Sequence, residues 1–444
     1  MTNFEKYLKQ VGEVGNVIGS TGTIVTCSGL LGAKIWEKVV FENESLGIVH
    51  SISRKNCEIL LLSFVNVTSG MMVVRTNETL SVEVSAEAIG RVIDVFGKPI
   101  DSKGNFKKLE DSPLEAEAVS IVDRARINQN LETGVTIVDL LIPLGKGQRE
   151  LIIGDQKSGK TSFLTQVIAR QTQLGTICIY CAIGKKKSDL AASVEKLERL
   201  GALAKTVVVA APSSTPSSII YLAPLAAMAY AEYFMSKGHD VLVVLDEISS
   251  HAKYYRELSI LSKRMPGRDG YPGDIFYLHS HLLERAGRFI RGDGEEETIT
   301  LKIGGKTVSI SCLPVVETLG SDFTGYIQTN LMSMTDGHLF FDISKFQEGL
   351  RPAVNVGLSV SRVGKQTQNT IERQLAIKSR ELLLAYSKGL SVAKFGIELL
   401  AATRDDIAQG ERINAIFHQT ATEIVPRTLQ LLFLQLLFCV AHFF

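Results

Sequence analysis

The first 80 residues alternate short apolar groups with turn residues. Apolar positions gather around Ile24, at Val39 and Val40, from Ile59 to Leu62 and from Met71 to Val74. Gly22, Asn43 and Gly70 fall between them. Short strands bounded by such residues predict a small β-barrel or sandwich over residues 1–80. At Gly90–Asp101 (GRVIDVFGKPID), Gly97 and Pro99 mark a turn and a junction. Beyond it the pattern changes. Runs at Glu150–Ile153, Ile177–Ala182, Thr206–Ala210 and Val241–Leu245 are dominated by apolar residues, with amphipathic helical stretches at Ser162–Gln173 and Leu190–Leu200. Continuous apolar strands alternating with helices predict a mostly parallel sheet covered on both faces, over residues 81–368. From residue 369 to residue 444 the chain reads as helical, with helices expected at Thr370–Leu390, Val392–Ala402 and Asp405–Phe417. Thr428–Phe444 (TLQLLFLQLLFCVAHFF) is apolar apart from Gln430, Gln435 and His442. It falls short of the ~18 consecutive apolar residues of a membrane span and reads as a core helix whose covering partners lie elsewhere.

Composition adds limits. At roughly 150 residues per domain, 444 residues suggest about three domains, and 45% hydrophobic residues are ample for a large core. Lys plus Arg number 48 and Asp plus Glu 47, a net charge of +1, so no global field draws the chain onto nucleic acid or an anionic membrane. Anion binding must then be local. Six cysteines are too few for a disulfide scaffold, and the start, MTNFEKYLKQVGEVG, has neither a signal core nor a transit pattern.

The local anion site is in the sequence. Gly154, Asp155, Gln156, Lys157, Ser158, Gly159, Lys160 and Thr161 fit G-x-x-x-x-G-K-[ST], the Walker A pattern, and Ser162 opens the helix behind them. Glycines let successive N–H groups curl around a polyphosphate, and the helix directs its positive end at the same anion. Lys160 is placed to reach the β and γ phosphates and Thr161 to offer its hydroxyl to Mg²⁺. Val241–Asp246 (VLVVLD) ends in the carboxylate expected to complete the metal's surroundings. The ligand is then ATP or ADP with Mg²⁺, held at Thr161 and Asp246.

Hydrolysis needs a base or a water-positioning group beside the last phosphate. Glu247, next to Asp246, is one candidate, since that position serves in several other phosphate-loop classes. The other position ends the neighbouring strand, in CIYCAIGKKK, and there Lys185 stands. A charged lysine cannot take a proton from water, although it can pair with phosphate oxygens. The site reads as built to bind nucleotide and poorly built to cleave it.

The segments GQRELIIGDQKSGKT (Gly147–Thr161), CIYCAIGKKKS, RMPGRDGYPGDIFYLHSHLLERAGR (Arg264–Arg288) and GLRPAVNVGLSVSRVG (Gly349–Gly364) resemble the alpha subunits of F-type ATP synthases, in the same order, within a likeness running from about Gly15 to about Gln435. The resemblance implies an N-terminal β-barrel, an α/β RecA-like phosphate-loop core and a C-terminal α-helical domain. It implies that alpha and beta alternate in a hexamer around a gamma central stalk, with a delta or peripheral-stalk subunit attached. In the family, beta carries the catalytic glutamate at the neighbouring strand's end, and alpha usually has glutamine where this chain has Lys185. The resemblance places an arginine finger, given to the adjacent beta site, at Arg362. It places the adenine pocket at Phe346, Arg351, Pro352 and Gln419, with Ala421 where a second glutamine is usual. It implies a peripheral complex on the cytoplasmic face of a bacterial plasma membrane, or on an inner organelle membrane, attached through the membrane sector and coupling proton flow to ATP synthesis. Against the family, the segment before the barrel is short and the helical domain looks truncated.

Two rivals are weighed beside this reading. A self-sufficient homohexameric ATPase, as in export motors, would depend on Glu247. An RNA translocase would share the barrel and core, but the first 80 residues carry no aromatic and basic stripe. Cys178 and Cys181 face opposite ways on a strand and lack a second pair, so no zinc site is expected. His279 and His281 read as packing or hydrogen-bonding residues.

Overall fold

The computed structural model describes residues 2–290, 307–394 and 401–440. Six strands, β1 (Val14–Thr21), β2 (Ile24–Ser28), β3 (Glu37–Phe41), β4 (Leu46–Ile52), β5 (Asn56–Leu61) and β6 (Met72–Thr79), close into a barrel in the order β1-β2-β5-β4-β3-β6. Alternate residues such as Val25 and Cys27, or Val39 and Phe41, fill the interior. A short helix, α1 (Asn3–Val11), covers the outer face by setting Phe4 on Val40 and Val74. Thr2 and Glu5 form a reciprocal capping box at its start. The expected barrel is the observed one.

Nine strands form the central sheet: β7 (Val92–Ile93), β8 (Glu150–Asp155), β9 (Ile177–Ile183), β10 (Thr206–Ala211), β11 (Val241–Asp246), β12 (Gly287–Ile290), β13 (Thr307–Thr318), β14 (Gly337–Phe341) and β15 (Val360–Ser361). Their order is β15-β14-β8-β13-β11-β9-β10-β7, parallel except at β14–β15 and where β12 pairs with β13. The run of β9 explains the apolar pattern. Ile177, Ile179, Cys181 and Ile183 enter the core on one face, and Cys178, Tyr180 and Ala182 enter the core on the other. Both faces are dry, so every position is apolar and the two cysteines point apart, as expected.

Helices α2 (Lys160–Gln173) and α3 (Lys187–Arg199) cover one face, and α4 (Ser217–Ser236) with α5 (Ile248–Leu261) covers the other. The sequence reading leaves α4 unassigned. Among the described residues it is the one helix long and apolar enough to cross a membrane, yet 89% of its apolar window is buried in the protein. It is apolar all round because it is packed all round.

The C-terminal region holds α6 (Thr370–Lys394), α7 (Ala401–Phe417) and α8 (Arg427–Val440). The sequence predicts a break near Leu390, whereas α6 continues to Lys394; the remainder of the expected second helix, at 395–400, lies outside the described residues. The apolar α8 seats only one face. Leu434 is buried and Gln430 Nε2 donates to Asp139 Oδ2 at 2.8 Å, while Leu432, Phe433 and Leu436 are exposed.

Under the barrel, Trp36, Tyr221, His251 and Tyr255 stack, and His251 Nδ1 lies 3.1 Å from His279 Nε2. His251 Nε2 faces the carbonyl of Tyr221 at 2.9 Å, so that nitrogen carries the proton and Nδ1 accepts from His279. Burial lowers the pKa of His251 to about 4 and depresses that of His279 as well. The unfolded chain binds these protons near pH 6.5, so stability is present above that pH and is lost as pH falls from 6.5 toward 4. For His251 alone the loss is on the order of 3 kcal/mol. Urea unfolding across this window should therefore show falling stability, and the fall should be shallower in His279→Gln, whose amide still donates but does not titrate. Equal slopes would contradict the assignment.

Candidate nucleotide-binding site

The site is assembled where the strands end. Strand β8 lies between β13 and β14 and delivers Gly154 against Phe341. A Cβ on Gly154 would stand 2.4 Å from the Phe341 carbonyl oxygen, so only glycine fits. Gly159 has φ 102° and Lys157 φ 61°, left-handed conformations that curl the loop before α2 begins at Lys160. Lys160 is buried, and its ammonium crosses the loop to donate to the carbonyls of Gly154 (2.5 Å) and Asp155 (2.8 Å). Ser158 Oγ donates to the Asp155 carbonyl at 2.7 Å.

The carboxylate of Asp155 is engaged in structure. It accepts from Thr318 Oγ1 at 2.5 Å and from the Ser321 N–H at 2.9 Å, tying the loop to the end of β13. Gln156 Nε2 donates to Glu317 Oε2 at 3.1 Å, and the side chains of Gln156, Lys157 and Thr161 are exposed. Ser162 Oγ accepts from Lys196 Nζ at 3.1 Å, which brings a further cation beside the helix start.

At the neighbouring strand ends, β9 and β11 pair with Ala182 opposite Asp246. Asp246 Oδ2 accepts from the Tyr180 hydroxyl at 2.7 Å and is ion-paired with the Lys185 ammonium. Lys185 Nζ also lies 3.2 Å from the Tyr180 oxygen, closing a ring of three groups. The side chains of Lys185 and Asp246 are only 18% and 6% exposed. The assignment of Mg²⁺ to Asp246 does not fit this arrangement, whereas Thr161 lies exposed at the start of α2. The carboxylate's charge is already matched by an ammonium, and a divalent cation placed there would meet a like charge. Lys186 and Lys187 are exposed and solvated.

Glu247 has a different environment. Burial raises its pKa to about 7, the nearby Glu317 carboxylate adds to the rise, and the Ser249 hydroxyl donates to one of its oxygens. Among the described residues no cluster of three or more His, Cys, Asp or Glu side chains could hold a metal. His281 instead sits 3.4 Å from Glu115.

A cavity of about 330 Å³ opens beside the loop, and Phe346, Arg351, Pro352, Gln419 and Ala421 all line it together with Ser158, Gly159 and Ser162. The Arg351 guanidinium lies 3.5 Å from the centre of the Phe346 ring and donates to the Phe346 and Leu350 carbonyls. Gln419 is less free than its family role suggests. Its Oε1 accepts from the Thr136 N–H at 2.6 Å and its Nε2 donates to the Gly134 carbonyl at 3.0 Å, so the amide joins the helical region to the core.

Arg362 stands apart. It follows the edge strand β15, antiparallel to β14, with Ser361 opposite Gly337 and Gly337 opposite Glu150 at the start of β8. The phosphate loop leaves the other end of β8. At about 3.3 Å per residue the strand separates the two by roughly 16 Å. The Arg362 side chain is exposed, and its N–H donates to the Asp336 carbonyl at 3.0 Å. Behind it, Gln148 Nε2 donates to Glu150 Oε2 (2.7 Å) and to Ser361 Oγ (3.1 Å), bracing the edge strand.

Sequence reasoning missed Tyr180, Lys196 and Ser249. A phenol in an otherwise aliphatic buried strand was the available signal for Tyr180, because its hydroxyl must find a partner. Lys196 and Ser249 reach the site only through helix placement.

Residues 134–361 match the nucleotide-binding domain of the ATP synthase alpha/beta family. The ATP synthase subunit alpha of Lactobacillus helveticus is 41% identical over 96% of this chain and 82% of its own length. That of Vesicomyosocius okutanii is 40% identical over 91% and 79% respectively. The corresponding Staphylococcus aureus protein is 40% identical over 96% and 82%. With the barrel, phosphate-loop core and helical region in the same chain, these matches establish that the chain belongs to the ATP synthase alpha/beta family, on the alpha side of it.

Proposed function

We propose that this chain is a non-catalytic, ATP- or ADP-binding alpha subunit in the soluble sector of a rotary, proton-translocating ATP synthase. It alternates with beta subunits around a gamma central stalk, with a delta or peripheral-stalk contact, and gives Arg362 to the adjacent beta site. The assembly couples a proton gradient to ATP synthesis and is peripheral to the membrane, on the cytoplasmic face of a bacterial plasma membrane. The observation that carries the reading is Arg362 itself. It is exposed on the sheet edge, at the opposite end of β8 from the chain's own phosphate loop. An arginine so held serves a neighbour. Its planar charge can neutralise the oxygens of a transferring phosphoryl group, an effect of about 10³–10⁵ in rate in phosphate-loop enzymes.

Lys185 supports the non-catalytic half of the reading. It stands where the neighbouring strand would need a base, and a charged ammonium cannot accept water's proton. Within the chain, Lys160 and the N-terminus of α2 hold the phosphates, and the cavity at Phe346 and Arg351 takes the base.

A second reading has one observation behind it. Glu247, with a pKa raised to about 7, has the acidity suited to a general base at neutral pH. On that reading the chain alone turns over ATP.

Three measurements test these statements. Lys160→Ala should weaken ATP binding to the purified chain by about 10- to 100-fold, the range of a lost charge-assisted contact; unchanged affinity would remove the loop from the site. The chain alone should show little ATPase activity, and robust turnover abolished by Glu247→Gln would select the second reading. In a complex reconstituted with a beta partner, Arg362→Ala should cut turnover by about 10³-fold or more while nucleotide binding to this chain persists. Unaltered turnover would refute the finger.

A further inference from the structure

The proposed function uses Lys185 only as a group that cannot act as a base, and gives no role to its ring with Asp246 and Tyr180. Asp246 is the carboxylate at the end of β11 nearest the phosphate loop, and its Oδ2 takes two donors. Tyr180 gives its single hydroxyl proton to Asp246 at 2.7 Å and accepts from Lys185 at 3.2 Å. The Lys185 ammonium then contacts Asp246 directly, with both side chains largely buried. Tyr180 is itself buried, so two of the three groups stand on strands β9 and β11, and Lys185 follows the end of β9 by two residues.

The electrostatic consequence follows from these contacts. A divalent cation at a phosphate site needs anionic or neutral oxygen donors facing it. Here the Asp246 carboxylate is neutralised within the protein by an ammonium that would repel a divalent cation brought beside it. The triphosphate, by contrast, loses nothing. Lys160 lies across the loop, Lys196 is bonded to Ser162 at the helix start, and Lys185 cancels the Asp246 carboxylate that would otherwise repel the phosphates. Such a site has its counter-charge built in.

We propose that the nucleotide site of this chain takes the free nucleoside triphosphate, uncomplexed by a divalent cation, with Lys185 supplying at Asp246 the positive charge that a cation would otherwise bring. The inference rests on the reading of the loop as an ATP site, and the test separates the two. Binding of radiolabelled ATP to the full-length chain is measured by equilibrium dialysis with excess Mg²⁺ and again with excess EDTA. The apparent dissociation constant should be about tenfold or more weaker in excess Mg²⁺, which sequesters the free nucleotide, than in EDTA. In Lys185→Gln, which keeps a hydrogen-bond donor and removes the charge, EDTA should weaken binding by about tenfold or more. Equal or weaker binding on chelation in the unaltered chain overturns the proposal, and so does a Lys185→Gln chain that keeps the preference for EDTA or is indifferent to Mg²⁺. Circular dichroism establishes that the variant is folded; should it fail to fold, the unaltered chain's two constants decide alone. No ATP binding under either condition would overturn the nucleotide reading instead.

Discussion

Burial of the central sheet on both faces is the constraint on which the rest of the molecule depends. Strand β9 sends alternate residues into two separate dry cores, so a charged side chain in its middle would be stranded without water or partner. Polar chemistry is therefore pushed to the strand ends. Asp246, Lys185, Glu247 and the phosphate loop all lie there, where the chain leaves the sheet and backbone N–H groups become available. The edge strand offers the other opening, and Arg362 uses it.

Because the polar groups are crowded into one rim, each must be satisfied by its neighbours, and the pairings give them different roles. Asp155 is tied to Thr318 and Ser321 and fastens the loop to β13. Gln419 is bonded to Gly134 and Thr136 and fastens the helical region to the core. Asp246 is bonded to Tyr180 and Lys185. Three polar residues that a motif would assign to ligand thus have protein partners. Phe346 and Arg351, ring against guanidinium, line the cavity that opens beside the loop.

Much of the fold was legible because each layer leaves its own period in the sequence. Barrel strands show short apolar groups between turn residues, sheet strands show unbroken apolar runs, and the loop between β8 and α2 has a spacing that steric need imposes at Gly154 and Gly159. Other elements left no such mark. Helix α4 is apolar on every side, so no amphipathic stripe announced it. The continuation of α6 past Leu390 left no local mark in the sequence; Gly389 sits within the helix, where an added Cβ would stand 2.9 Å from Ile407 of α7. In α8 the apolar pattern signalled burial, whereas only the face bearing Gln430 and Leu434 found a partner.

The sequence by itself determined the loop, the strand ending in Asp246, the lysine at position 185 and the arginine at position 362, because these depend on residue identity and short spacing. Which of them meet depended on distances across the sheet that no local pattern encodes. Parallel pairing brought Lys185 onto Asp246, residues far apart in the chain, and turned an expected metal ligand into half of an ion pair. Antiparallel pairing at the edge carried Arg362 to the end of the sheet opposite the loop. Both outcomes follow from strand order and register, which are fixed by how two hydrophobic faces are buried at once.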